Sequence, residues 1–182
     1  MKKIFIFFLF FIFTSYSYSL ENKKNSLGCN NSINENYLTN YQNFKIRKIE
    51  IDIDNYRNWT VNNIKIITGG TRFIGNEFKK KFKGNILVSY ENGFKCYFKG
   101  KIRHSGDAKD HIALNGNSII QSLDVSLDSG HIKGITKFKL FKPDVRGNLN
   151  DVILQNQLLR NFGYLAPRSY RVNTRVNQSE SV

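Results

Sequence analysis

Residues 84–102 read GNILVSYENGFKCYFKGKI, and this stretch decides the fold class. Ile86, Val88 and Tyr90 take every second position on the way in. Phe94, Cys96 and Phe98 do the same on the way out, and Ile102 continues that face. Between them Glu91-Asn92-Gly93 supplies a turn, because an Asn-Gly pair tolerates positive φ. Alternation of this kind buries one face of a hairpin and wets the other. Upstream, Ile49, Ile51 and Ile53 alternate with Glu50 and Asp52, so a strand is expected there, beginning near Ile46. Asn62 to Thr68 reads as a second short strand, broken by Gly69-Gly70.

Downstream, Ser122 to Leu127 and Ile135 to Phe141 read as two more strands. Asn148 to Phe162 is the one strong helix. Val152, Ile153, Leu158, Leu159 and Phe162 form its stripe, Asn148 or Asn150 its cap, and Gly163 its stop. Ser169 to Val176 alternates again and closes the sheet. The expected class is α+β, an antiparallel sheet with one main packed helix.

The N-terminus sets the expected compartment. Lys2 and Lys3 precede an unbroken apolar run, Ile4 to Phe13, and Ser17 and Ser19 give a small-x-small cleavage pattern. That order is a secretory signal peptide over 1–19. The alternative is an uncleaved anchor, but ten apolar residues as a helix span only about 15 Å of a core of about 30 Å. Residues 20–43, rich in Asn, Ser, Lys and Glu, read as a flexible leader. The domain is expected over 44–177, with a tail at 178–182. An exported chain would lie in the periplasm, at the cell surface or outside the cell, with no stable membrane anchor after cleavage. There its two cysteines, Cys29 and Cys96, either pair or stay as free thiols.

The formal net charge is +14, and Lys2 and Lys3 would leave with the signal. A basic balance suits nucleic acid, an anionic membrane or an acidic substrate. However, 23 Asn and 19 Lys against 9 Arg also follow from AT-rich codons. The dense cluster Lys79-Lys80-Lys81 with Lys83 has no interleaved stacking residues, so nucleic acid is not the expected partner.

The densest polar cluster is Arg103-His104-Ser105-Gly106-Asp107 with Lys109-Asp110-His111. It reads as a turn, as a phosphate-contact loop using Arg103 or Lys109, or as N and O ligands for a metal. The spacing matches no standard metal motif, so no metal residues are assigned. Lys137 and Lys139 share the strand face opposite Phe138. That face is either simply solvated or presents a lysine to nucleotide phosphates. Three histidines and no serine elbow give no hydrolase triad, and Gly69-Gly70-Thr71 with Gly75 is no dinucleotide fingerprint.

Taken in order, these segments resemble the early part of the CotH-type proteins, a divergent secretory kinase-like family named for a spore-coat protein. The resemblance runs through Lys101-Ile102-Arg103-His104-Ser105-Gly106-Asp107, Lys109-Asp110-His111 and Ser122-Leu123-Asp124-Val125. It continues through Gly134-Ile135-Thr136-Lys137-Phe138-Lys139-Leu140, Pro143, Arg146 and the helix ending Leu158-Leu159-Arg160. Gly163, then Leu165-Ala166-Pro167-Arg168, resembles the family's G-x-x-A-P-R turn, and Val172 to Asn177 its next strand. Roughly Phe82 to Asn177 is covered.

The resemblance implies a kinase-like N-terminal lobe, ATP with Mg, and phosphoryl transfer to hydroxyls of a protein substrate in full-length relatives. Lys139, or else Lys137, would be the nucleotide lysine. Asp151 would be the helical carboxylate that holds it, where the family usually has Glu, and Arg103 would be a further contact. The family's catalytic and metal-binding carboxylates lie beyond the strand near Val176, so no catalytic residues are assigned. The expectation is an exported, truncated CotH-like protein, inactive on its own and without a cofactor of its own. The alternatives are a non-catalytic envelope or surface binding module, or a basic anion-binding protein.

Overall fold

The computed structural model describes residues 44–116, 118–142, 145, 148–177 and 179–181. The expected signal peptide and leader lie outside the described residues, as do Pro143 and Arg146. The elements are β1 (Ile46–Ile53), α1 (Tyr56–Thr68), β2 (Phe82–Tyr90), β3 (Lys95–His104), β4 (Ile112–Asn115) and β5 (Ser118–Gln121). They continue with β6 (Leu123–Leu127), β7 (Lys137–Leu140), α2 (Leu149–Asn161), β8 (Asn173–Val176) and β9 (Ser179–Ser181).

The hairpin forms as its alternation requires. Ile86 pairs with Phe98 and Val88 with Cys96 across β2 and β3. Gly93 turns the chain at φ 84°, and its N–H donates to the Tyr90 carbonyl at 3.0 Å. Around this pair grows a seven-stranded sheet in the order β7-β6-β3-β2-β1-β8-β9, with β4 and β5 as a separate two-stranded hairpin. The sheet is mixed, not antiparallel as expected. β8 runs parallel to β1, Ile51 beside Val176, and the other neighbours are antiparallel. The long return from β7 on one edge, through α2, to the far side of β1 delivers β8 in the parallel sense. Ser179–Ser181, expected as tail, adds a last strand against β8.

One face of the sheet carries the core. Ile51, Ile86, Val88, Ile102 and Val125 are all at most 2% exposed. Gly84 and Gly100 sit opposite each other on that face, where the curled sheet brings backbone close. A Cβ on Gly84 would lie 2.6 Å from the Asp52 carbonyl oxygen, and one on Gly100 would lie 2.6 Å from that of Ser126. Neither position has room for a side chain.

The helix that packs on the core is α1, where a strand was expected at Asn62 to Thr68. Asn55 caps it by accepting from the Asn58 N–H at 3.3 Å. Its buried positions are Trp59, Asn62, Asn63 and Ile66, spaced i, i+3, i+4 and i+7 as a helix face demands. Trp59 meets the Phe82 ring edge-on, with centroids 5.1 Å apart. The expected helix does form as α2, capped by Asn148, but it is not the packed one. None of its described side chains is buried, and Leu154 and Leu158 are exposed.

Asn63 is the anomaly of α1. It is 0% exposed, and neither Oδ1 nor Nδ2 has a hydrogen-bond partner among the described residues. A buried unsatisfied amide costs on the order of 1–3 kcal/mol. Asn63→Leu should therefore raise stability by about 1 kcal/mol, read as a higher urea midpoint at unchanged slope.

Candidate functional site

Three outward-facing side chains line up across β3, β6 and β7. Arg103 is level with Asp124, and Asp124 is level with Lys139. They share a face because each lies one residue from a core position: Ile102, Val125 and Phe138. Arg103 donates from Nε at 3.0 Å and from Nη2 at 2.6 Å to Asp124 Oδ2. Lys139 Nζ stands 3.9 Å from the other oxygen, Oδ1, with its side chain 55% exposed. Asp124 thus holds Arg103 firmly and orients Lys139 loosely, leaving most of the ammonium to solvent.

This row forms one wall of a cleft of about 490 Å³, within the usual range for a small-ligand site. The loop Ser105 to Ala108, with Asp110 and His111, forms another, and Lys79 and Phe141 complete it. Gly106, at φ 105°, is needed in that loop, because the His111 ring occupies the place a Cβ would take. Lys79 is paired with Asp107, and its hydrogen bond and charge hold the Asp107 carboxyl below the usual range. The cleft carries Lys79, Arg103 and Lys139 against Asp107, Asp110 and Asp124. Two of those cations are committed to carboxylates at close range, so Lys139 is the one best able to meet an incoming anion.

His104 ends the buried row of β3 at 1% exposure. Its Nδ1 lies 3.3 Å from Gln121 Oε1, and Nε2 has no partner among the described residues. Burial lowers its pKa below 6.5. The nearby His111 and Lys79 charges add to this, while the Gln121 hydrogen bond and Asp107 oppose it. The unfolded imidazole, near 6.5, therefore takes up a proton before the folded one does. Stability contributed by His104 is complete above about pH 6.5. It is lost as pH falls from there towards the lowered folded value. Urea titrations across that window should show the loss in the wild type and a flatter profile in His104→Gln.

Of the four residues with expected nucleotide roles, two meet in the cleft, Arg103 and Lys139. Lys137 lies one row further out, level with Ser126, and does not line it. Asp151 sits in the first turn of α2, exposed, and does not line it either. The carboxylate beside the lysine is Asp124, a residue given no role from the sequence. Its signal was a charged residue inside the alternating run Leu123, Val125, Leu127, but only the pairing of β3, β6 and β7 shows what it faces. The metal alternative gains nothing. His111 Nδ1 is 3.0 Å from Ser122 Oγ, and no group of three or more His, Cys, Asp or Glu that could hold a metal occurs among the described residues.

The chain matches no family model, no curated protein and no solved structure.

Elsewhere among the described residues no helix is long and apolar enough to cross a membrane. Cys96, 1% exposed at the start of β3, is disulfide-bonded. The second cysteine of the chain, Cys29, lies outside the described residues.

Proposed function

We propose that this is an exported, CotH-type protein whose cleft receives the phosphate groups of a nucleotide, with Lys139 as first contact and Arg103 as the fixed cation beside it. The observation that carries the reading is the Arg103–Asp124–Lys139 row. An ammonium stands at the cleft wall, steered by a carboxylate but not consumed by it. The segment order quoted above supports the family, and the disulfide at Cys96 supports an oxidising compartment.

The residues present suit phosphate but not its metal. ATP bound with Mg would supply the transferable phosphoryl group. In this chain Asp107 is engaged by Lys79 and Asp124 by Arg103. That leaves Asp110 as the one cleft carboxylate outside a described ion pair, a single side chain where a kinase uses two to hold its metal. Phosphoryl transfer also needs a base to orient the attacking hydroxyl. We therefore expect this chain alone to bind nucleotide and to transfer no phosphate. A second reading, a binding module for small anions without a kinase ancestry, is favoured by one observation. The carboxylate expected from a kinase-like helix, Asp151, is not at the cleft.

Calorimetric titration with ATP separates these readings. Lys139→Ala should weaken binding about ten-fold or more, the loss of one charge-assisted contact, while Asp151→Ala should leave it unchanged. Equal affinity for phosphate and ATP would favour the small-anion module. Unchanged affinity in Lys139→Ala would sink the site. Labelled phosphate appearing on a protein acceptor, dependent on Lys139, would overturn the expected inactivity.

A further inference from the structure

The outward face of the sheet holds a second cationic feature, outside the cleft. Lys83 is level with Lys101, Lys101 with Ser126, and Ser126 with Lys137. A row of three lysines therefore crosses β2, β3, β6 and β7. With strands about 4.8 Å apart, the row spans roughly 14 Å. Lys99, two residues along β3, and Lys95, four further, extend the array along that strand. All five side chains are exposed, and none makes an ion pair with a described residue. The acids that flank the row are Asp124, already engaged by Arg103, Asp128, whose N–H donates to the Lys99 carbonyl at 2.9 Å, and Asp54, whose N–H donates to the Lys83 carbonyl at 3.0 Å.

The other side of the same face is built differently. Glu50 of β1 bonds Lys48 at 3.2 Å and Arg175 of β8 at 2.6 Å, so charge there is locally neutralised. A codon bias raises lysine everywhere; it does not gather five exposed lysines, with no ion pair to a described residue, on one half of a sheet face. The array is two-dimensional, which fits a charged plane better than a single strand of polymer. It also lacks a stacking platform. Tyr97 is the aromatic ring on this face, and it is half-buried, whereas single-stranded nucleic acid binding relies on exposed rings.

We infer that this face docks on an anionic lipid bilayer, its lysines meeting the headgroup phosphates without insertion. Each lysine near such a surface contributes about 1 kcal/mol, roughly five-fold in affinity. The inference is independent of the nucleotide cleft, since its test leaves Lys139 and Arg103 untouched.

The test is sedimentation of the full chain with phosphatidylglycerol–phosphatidylcholine vesicles over a range of sodium chloride. Binding should fall steeply with salt. Replacing Lys83, Lys99, Lys101 and Lys137 together by glutamine should weaken it about a hundred-fold or more. The same four positions as arginine should bind as the wild type, which also shows that the face tolerates substitution. A control replacing Arg57, Lys65 and Arg160, all off the array, should lose far less. The inference fails if the glutamine variant binds like the control, or if phosphatidylcholine vesicles alone bind equally well. It also fails if a single-stranded oligonucleotide binds more tightly than the anionic vesicles at the same salt.

Discussion

Trp59→Ala should cost the protein about 3–5 kcal/mol, a large share of the 5–15 kcal/mol that holds a typical domain together. Trp59 is 1% exposed, packs edge-on against Phe82 and is the largest side chain that α1 delivers to the core. Truncation removes the transfer free energy of an indole and leaves a cavity that rigid strands on one side cannot close. The aromatic contact adds about 1 kcal/mol beyond the buried area. Trp59→Phe keeps a ring in the site and should lose less than half as much. Trp59 is the single tryptophan, so both variants must be followed by circular dichroism in urea rather than by fluorescence. A loss under about 1 kcal/mol in Trp59→Ala would mean that α1 is not what seals this end of the core.

That helix was illegible in the sequence for a specific reason. Two of its four buried positions are Asn62 and Asn63, so the apolar half of the stripe alone, Trp59 and Ile66, shows no helical period. Meanwhile Ile64 and Ile66 alternate with Lys65 and mimic a strand, although Ile64 is in fact 48% exposed. What rescues Asn62 is tertiary: its Nδ2 donates to the Phe78 carbonyl at 2.8 Å. The hairpin at 84–102 was legible because its turn and its pairing are local. The helix α2 was legible as a helix, from its cap and its stripe. Its lack of burial was not, because periodicity tells which side of a helix is apolar and not whether anything covers it.

The cleft shows the same division. Arg103 and Lys139 were identified as cations of interest, one from its loop and one from its strand. The carboxylate between them was assigned to α2 instead of β6. Whether Lys139 faces Asp124 depends on the register of β6 against β7, and whether Arg103 does depends on β3 against β6. Those strands are separated in sequence by a hairpin and two loops. A shift of one residue would send Asp124 into the core face. The parallel placement of β8 is non-local in the same way, since alternation in Tyr170, Val172, Thr174 and Val176 says nothing about direction.

Reduction of the disulfide at Cys96 should be the other large perturbation. The chain has two cysteines, so a bond within it closes a loop of about 67 residues, from 29 to 96. Cross-linking a loop of that length removes denatured-state entropy worth about 4 kcal/mol, which corresponds to roughly 15 °C in Tm for a domain of this size. Because the effect acts on the unfolded chain, it carries a signature that a packing defect does not. The denaturant slope should rise on reduction, as the opened chain exposes more surface. Cys29→Ala, Cys96→Ala and the double variant should each lose about the same amount, since either change alone already opens the loop. Cys96→Ala adds a small cavity penalty beside Val88, its partner across the hairpin. If Cys29→Ala keeps wild-type stability while Cys96→Ala does not, the stabilisation belongs to the packing of β3 and not to the cross-link. The support that the bond lends to an oxidising compartment would then fall with it.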